Sequence, residues 1–135
     1  MVGVDDRIRR LGGLLRQMQG LTPNIEASAI VSPEGLVLAS ALPAGTDEQQ
    51  IGAMAAAVLT LGERIASELL EGAVKQIYVE GDGTGYVFMT AIGNQAILVT
   101  LANANAKLGL VFMDMRRIAT EVLAILQEDV LAGAG

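Results

Sequence analysis

Apolar side chains recur along this chain with two different periods, and the changes from one to the other divide it into elements. From Asp5 to Gln19, Ile8, Leu11, Leu15 and Met18 keep the three-and-four spacing of a helix with one buried stripe, and Gly20 and Pro23 stop it. Asn24 to Ser32 then alternates small or apolar with polar residues. Pro33-Glu34-Gly35 is a compact turn and Leu36 to Ser40 a short apolar run, which together predict a hairpin. Pro43 and Gly45 break the chain before Thr46, whose hydroxyl is placed to cap a second helix while Asp47 and Glu48 suit its positive end. That helix is expected to run to about Leu70, with Gly72 ending it.

Three stretches that read as strands follow, Val74 to Glu80, Tyr86 to Ile92 and Ala96 to Leu101. They are joined by Gly81-Asp82-Gly83-Thr84-Gly85 and Gly93-Asn94-Gln95, rich in residues that tolerate positive φ, so hairpins are predicted. A last helix is expected from Asn105 to about Glu128, capped by Asn103 or Asn105, with Leu108, Val111, Phe112, Met115, Ile118, Ala119, Val122 and Leu126 on one broad face. The predicted order is α-β-β-α-β-β-β-α, in one α+β domain spanning 1–135 with an ordered core of about 4–129. A single antiparallel five-stranded sheet with helices on both faces follows. Val87-Phe88-Met89 and Ile97-Leu98-Val99 are apolar without alternation, so their strands should be central, whereas the charge and polarity mixed into Val74 to Glu80 read as an edge.

The middle helix carries more apolar surface than one contact needs. Ile51, Met54, Val58, Leu61, Ile65 and Leu69 form one stripe, expected to dock on the sheet. Beside it runs a second stripe of Gly52, Ala55, Ala56, Leu59, Gly62, Ala66 and Leu70, whose small residues would let another helix come close. Helix propensity explains the alanines, but two glycines at about 1 kcal/mol each need another reason. The expectation is a homodimer whose interface comprises Gly52, Ala55, Ala56, Leu59, Gly62 and Ala66, with Lys75, Ile77 and Val79 from the open edge strand.

Composition sharpens this picture by exclusion. The chain has no Cys and no His, which removes thiolate nucleophiles, disulfides, the commonest general base and the commonest metal ligands; no cofactor, metal or catalytic residue is predicted. A net charge of −6 and an aromatic content of 3% argue against nucleic-acid binding. The hydrophobic fraction is 52%, yet the longest uncharged helical run, Ile51 to Gly62, is too short to span a bilayer, and Asp5, Asp6, Arg7, Arg9 and Arg10 interrupt any secretion signal. No membrane insertion and a cytoplasmic location are expected. The glycine-rich Gly81 to Gly85 leads into a strand rather than a helix and lacks a Lys-Ser/Thr ending, so it reads as a hairpin turn and not a phosphate loop. Glu68, Glu71, Glu80 and Asp82 match no cation-binding spacing.

Ala29-Ile30-Val31-Ser32-Pro33-Glu34-Gly35-Leu36-Val37-Leu38-Ala39-Ser40, and Ile97 to Leu101 followed by Asn103 to Leu110 and Arg116-Arg117, resemble the bacterial roadblock proteins of the roadblock/dynein light-chain family. The element order agrees over nearly the whole chain. The resemblance implies profilin-like layering, a dimer joined through the third strand with the middle helices side by side, and binding of a small Ras-like GTPase as an activating or scaffold subunit. It points to Gln49, Gly52, Ala53, Ala56, Thr60, Glu63 and Arg64 as candidate GTPase contacts. Arg64, Arg116 or Arg117 could act as an arginine finger, although a helix arginine is more often simply solvated, and Arg117 is spaced to pair with Asp114 and Glu121. Two alternatives stand beside the regulator: a structural adaptor or dimerisation module without effect on GTP hydrolysis, and a small-molecule sensor domain.

Overall fold

The computed structural model describes residues 3–134, with the side chains of the first and last few left aside. Helix α1 spans Gly3–Leu21, strands β1 and β2 span Ile25–Val31 and Val37–Ala41, and helix α2 spans Glu48–Leu69. Strands β3, β4 and β5 span Gln76–Gly81, Gly85–Ile92 and Ala96–Ala102, and helix α3 closes the order at Leu108–Ala134. The five strands form one sheet in the order β2-β1-β5-β4-β3, antiparallel throughout, with β5 at its centre and β2 and β3 at its edges. The apolar run Ile97-Leu98-Val99 is buried residue by residue, as a strand covered on both faces must be.

Helices α1 and α3 cover one face and α2 the other, so the sheet separates two cores. The larger holds Leu11, Leu15 and Met18 of α1, Ile30, Phe88, Ile92 and Leu98 of the sheet, and Val111, Met115, Ile118 and Val122 of α3. Ile8, the first residue of the predicted α1 stripe, is exposed. The smaller core has Ala29, Val31, Met89, Ile97 and Val99 beneath Ala55 of α2. All two Phe and two Tyr of the chain meet on the α3 side: Phe88 lies 4.9 Å edge-on from Phe112, 5.6 Å from Tyr86 and 6.3 Å from Tyr78, between ring centroids. Arg10 of α1 donates two hydrogen bonds, at 2.7 and 2.8 Å, to the carboxylate of Glu128 on α3. That bond holds the Glu128 carboxyl below its ordinary range and raises the Arg10 guanidinium. Arg117 pairs with Asp114 at 2.7 Å and with Glu121 at 3.9 Å, as its spacing predicts.

Local ends differ from expectation in physically legible ways. The cap of α2 is Asp47, whose carboxylate accepts from the Gln50 amide at 3.1 Å, while the Thr46 hydroxyl donates to the Pro43 carbonyl and tightens the preceding turn. At the other end Glu71, one residue before Gly72, takes a left-handed φ of 54°, and the Gly72 amide returns to the Ala66 carbonyl. Asn103 and Asn105 do not cap α3. The Asn103 side chain accepts from the Asn105 amide to shape a turn, and the helix opens later, with the Val111 amide bonded to the Lys107 carbonyl. The Gly81 to Gly85 segment is the predicted hairpin, with Gly83 and Gly85 at positive φ.

The largest correction concerns the face that α2 turns to the sheet. Gly52, Ala55 and Ala66 are its buried residues, with Leu59 and Gly62 beside them, so the small stripe seats α2 on its own subunit. Met54, Leu61, Ile65 and Leu69, expected against the sheet, are exposed, and only Ile51 and Val58 of that stripe are half-buried. The reason is volume. The sheet supplies the bulk through Val31, Met89, Ile97 and Val99, and the β1–β2 turn rises against the helix, so the helix must bring little of its own. Gly52 sits where any side chain would overlap the Gly35 carbonyl oxygen.

Candidate protein-docking surface

With its small residues spent inward, α2 turns a row of large apolar side chains to solvent. Met54, Leu61, Ile65 and Leu69 lie on one flank, Leu69 being 75% exposed, and this flank is the one that faces edge strand β3. Between the two runs a groove of about 540 Å³, lined by Val58, Leu61, Ile65 and Ala66 of the helix and by Val74 and Ile77 of the strand side. Ile77 packs into the smaller core, while Val79 is 53% exposed and Lys75 is exposed. On the opposite face of β3, Tyr78 is half exposed although its ring touches Phe88 and Phe112. Among the described residues strand β3 pairs only with β4, so one row of its backbone groups has no partner strand. A contiguous apolar helix flank beside an unpaired strand edge is chemically suited to take another chain by strand addition and helix packing together.

The predicted interface residues therefore divide. Ile77, Val79 and Lys75 lie along this edge. Gly52, Ala55 and Ala66 are closed off by their own sheet and turn, while Ala56, Leu59 and Gly62 are half-buried and a Cβ on Gly62 would meet Ile77 Cδ1 at 2.8 Å. Met54, Leu61, Ile65, Leu69 and Tyr78 are the surface residues the sequence reading missed. Periodicity showed two apolar stripes without saying which was inward; the two glycines, which mark closest approach, were the available signal, and they mark the approach to the sheet.

The candidate GTPase contacts occupy the other flank of α2, turned away from β3. Gln49, Ala53, Thr60, Glu63 and Arg64 are exposed, Ala56 is half-buried, and Gly52 is buried. Thr60 turns its hydroxyl to the Ala56 carbonyl at 3.0 Å, and Arg64 lies 3.6 Å from Glu68 in an exposed pair. A shallow groove of about 370 Å³ joins Thr60, Glu63 and Arg64 to Pro33 of the β1–β2 turn and to Gly93 and Asn94 of the β4–β5 turn. Arg116 and Arg117 are exposed on α3, on the far side of the sheet from Arg64. The three arginines thus converge on no common point.

Residues 11–102 match the family model of the Roadblock/LC7 domain. The chain belongs to the Roadblock/LC7 domain family. Among its relatives is the uncharacterized protein MJ0310 of Methanocaldococcus jannaschii, 38% identical over 104 residues that cover 77% of this chain and 90% of that one. Among solved structures, this roadblock domain resembles the Roadblock/LC7 domain of Streptomyces avermitilis with a TM-score of 0.80 at 22% identity, covering 85% of this chain and 96% of that one. It resembles Myxococcus xanthus MglB with a TM-score of 0.82 at 17% identity, over 90% of each chain. Acanthamoeba castellanii profilin IB gives a TM-score of 0.62 at 17% identity, over 84% of this chain and 97% of that one, which sets the roadblock sheet and helices within the wider profilin-like layering. Among the described residues, no helix of this roadblock domain is long and apolar enough to cross a membrane.

Proposed function

We propose that this chain is a non-catalytic, cytoplasmic, homodimeric regulator or binding platform for a small Ras-like GTPase. The observation that carries the dimer is the apolar flank of α2, Met54, Leu61, Ile65 and Leu69, lying beside the unpaired edge of β3. Two copies related by a two-fold axis would extend the sheet from β3 to β3 and lay the two flanks together above the seam. Burying Leu61 or Ile65 fully in such a seam contributes about 1.5–3 kcal/mol for each side chain. Membership of the roadblock family supports the GTPase half of the reading.

In a dimer of this kind the outer flanks of both α2 helices remain open, and Gln49, Ala53, Ala56, Thr60, Glu63 and Arg64 are the residues available to a partner. Gly52 leaves that set, because its own turn covers it. The platform acts by holding one arrangement of the GTPase switch loops, shifting an equilibrium by its differential affinity for the two states. This requires no chemistry from a chain without Cys or His. Light scattering tests the first half: the expected mass is that of a dimer, and Leu61→Lys should give a folded monomer. Phosphate release from a Ras-like GTPase of the source organism tests the second half. A changed rate that Thr60→Arg or Glu63→Arg abolishes supports the regulator, and binding without any change in rate assigns the platform to scaffolding instead.

A further inference from the structure

Charge is spread unevenly over this molecule. Helices α1 and α3 together hold six arginines and six acidic residues, so they cancel, and the whole excess of −6 falls on residues 22–107. Within that stretch α2 and its two ends are the most one-sided part: Asp47, Glu48, Glu63, Glu68 and Glu71 are all exposed, against Arg64 as the single cation. We propose that the partner of the outer α2 flank meets it with a basic surface, and that an arginine of that surface enters the groove beside Glu63. This rests on the platform reading above and adds to it the chemistry by which the partner is recognised.

The groove selects the kind of side chain that fits. It runs between the outer flank of α2 and the β1–β2 and β4–β5 turns, with about 370 Å³ of room. Its least exposed lining residues, Leu59 and Ala96, are apolar, and Pro33 adds a further apolar surface. The exposed lining residues Thr60, Glu63, Arg64 and Asn94 supply polar groups around them. Arg64 is drawn to 3.6 Å from Glu68, whereas the Glu63 carboxylate has no ion pair among the described residues. The Thr60 hydroxyl donates to the Ala56 carbonyl, which leaves its own oxygen able to accept.

An apolar trough beside an unpaired anion suits a long side chain with an aliphatic stem and a cationic head. Arginine fits better than lysine, because its planar fork sets two N–H groups on one carboxylate and keeps others for acceptors such as the Thr60 oxygen. A neutral or acidic side chain in the same place would strip water from Glu63 and give it no cation in return. The surrounding carboxylates act at longer range. Their field reaches about 8–10 Å at physiological salt, so a basic surface approaching α2 is accelerated and an acidic one is turned away. Helices α1 and α3, whose charges cancel, give no such preference.

Stopped-flow association of a Ras-like GTPase of the source organism with the full-length protein, between about 50 and about 300 mM NaCl, tests this. The association rate should fall about tenfold across that range while dissociation changes little. Glu63→Gln should weaken binding about fivefold at the low-salt end, and Glu121→Gln, on α3, should leave it unchanged. A charge exchange locates the contact: Glu63→Arg should abolish binding, and one Arg→Glu variant among the surface arginines of the GTPase should restore it. Association that ignores salt, or a Glu63→Gln protein that binds as tightly as wild type, overturns the proposal and leaves the platform standing. Failure of every arginine variant to restore binding overturns the groove contact. No complex even at low salt, with circular dichroism showing a folded protein, removes the platform reading itself.

Discussion

Gly52 of α2 lies so close to Gly35 of the β1–β2 turn that a methyl group on Gly52 would overlap the Gly35 carbonyl oxygen. The contact fixes the depth at which the helix sits on the sheet, because both sides of it are backbone. It also gives Gly52 a purpose that helix propensity opposes.

Gly52→Ala is therefore expected to destabilise the protein by about 1–3 kcal/mol, the usual cost of overpacking. Propensity alone would predict a gain of about 1 kcal/mol, so the sign of the change in urea midpoint decides which effect wins. Gly62→Ala makes the useful contrast. Its new methyl crowds Ile77 Cδ1, at 2.8 Å, the far end of a side chain that can turn away, and meets Val74 Cγ2 at an ordinary 3.5 Å, so the change should fall near zero.

Gly13 of α1 has open space where its side chain would stand. Gly13→Ala should stabilise the fold by about 0.5–1 kcal/mol, through lower conformational freedom of the unfolded chain and better helix propensity. Thermal melting checks it, and an unchanged or lower melting temperature would mean that this position has a contact the isolated subunit lacks.

These glycines also show how far the chain could be read before its structure was known. The order of elements, the sheet composition, the central β4 and β5 and the edge position of β3 follow from period, turn residues and alternation, and all hold. The facing of α2 did not follow. Two apolar stripes on one helix satisfy the same periodicity, and which is inward depends on how much volume the sheet supplies through Val31, Met89 and Ile97, a quantity spread over three strands. The open edge was legible at β3, where charge and alternation marked it, while the exposed apolar flank of α2 was not, because Gly and Ala were read as room for another helix. The caps at Thr46 and Asn105 failed for a local reason: a neighbour, Asp47 in one case and the 103–107 turn in the other, competed for the same backbone groups.

Thr90 and Thr100 place hydroxyls in the larger core where neither has a hydrogen-bond partner among the described residues. Valine has the same shape without the hydroxyl, so Thr90→Val and Thr100→Val should each raise stability by about 1 kcal/mol. A loss in denaturant unfolding would show instead that enclosed water bridges these oxygens.

The Arg10–Glu128 bridge predicts a pH dependence. Glu128 has a lower carboxyl pKa folded than unfolded, so the bridge stabilises above the unfolded value and its contribution is lost as pH falls through the folded one. Wild type should melt above Glu128→Gln at neutral pH, and the gap should close as the pH falls below the ordinary carboxylate range. A gap that persists in acid would assign the difference to packing rather than charge.

One consequence of the inward glycines and outward leucines of α2 concerns how the protein can change over time. The residues that keep the helix in place and the large apolar residues left open to solvent lie on adjacent flanks of the same cylinder and are different side chains. Under the proposed docking at this flank, substitutions at 54, 61, 65 or 69 would alter the company the molecule keeps while the fold stays as it is, and a lineage of such domains could exchange partners without first having to rebuild its core.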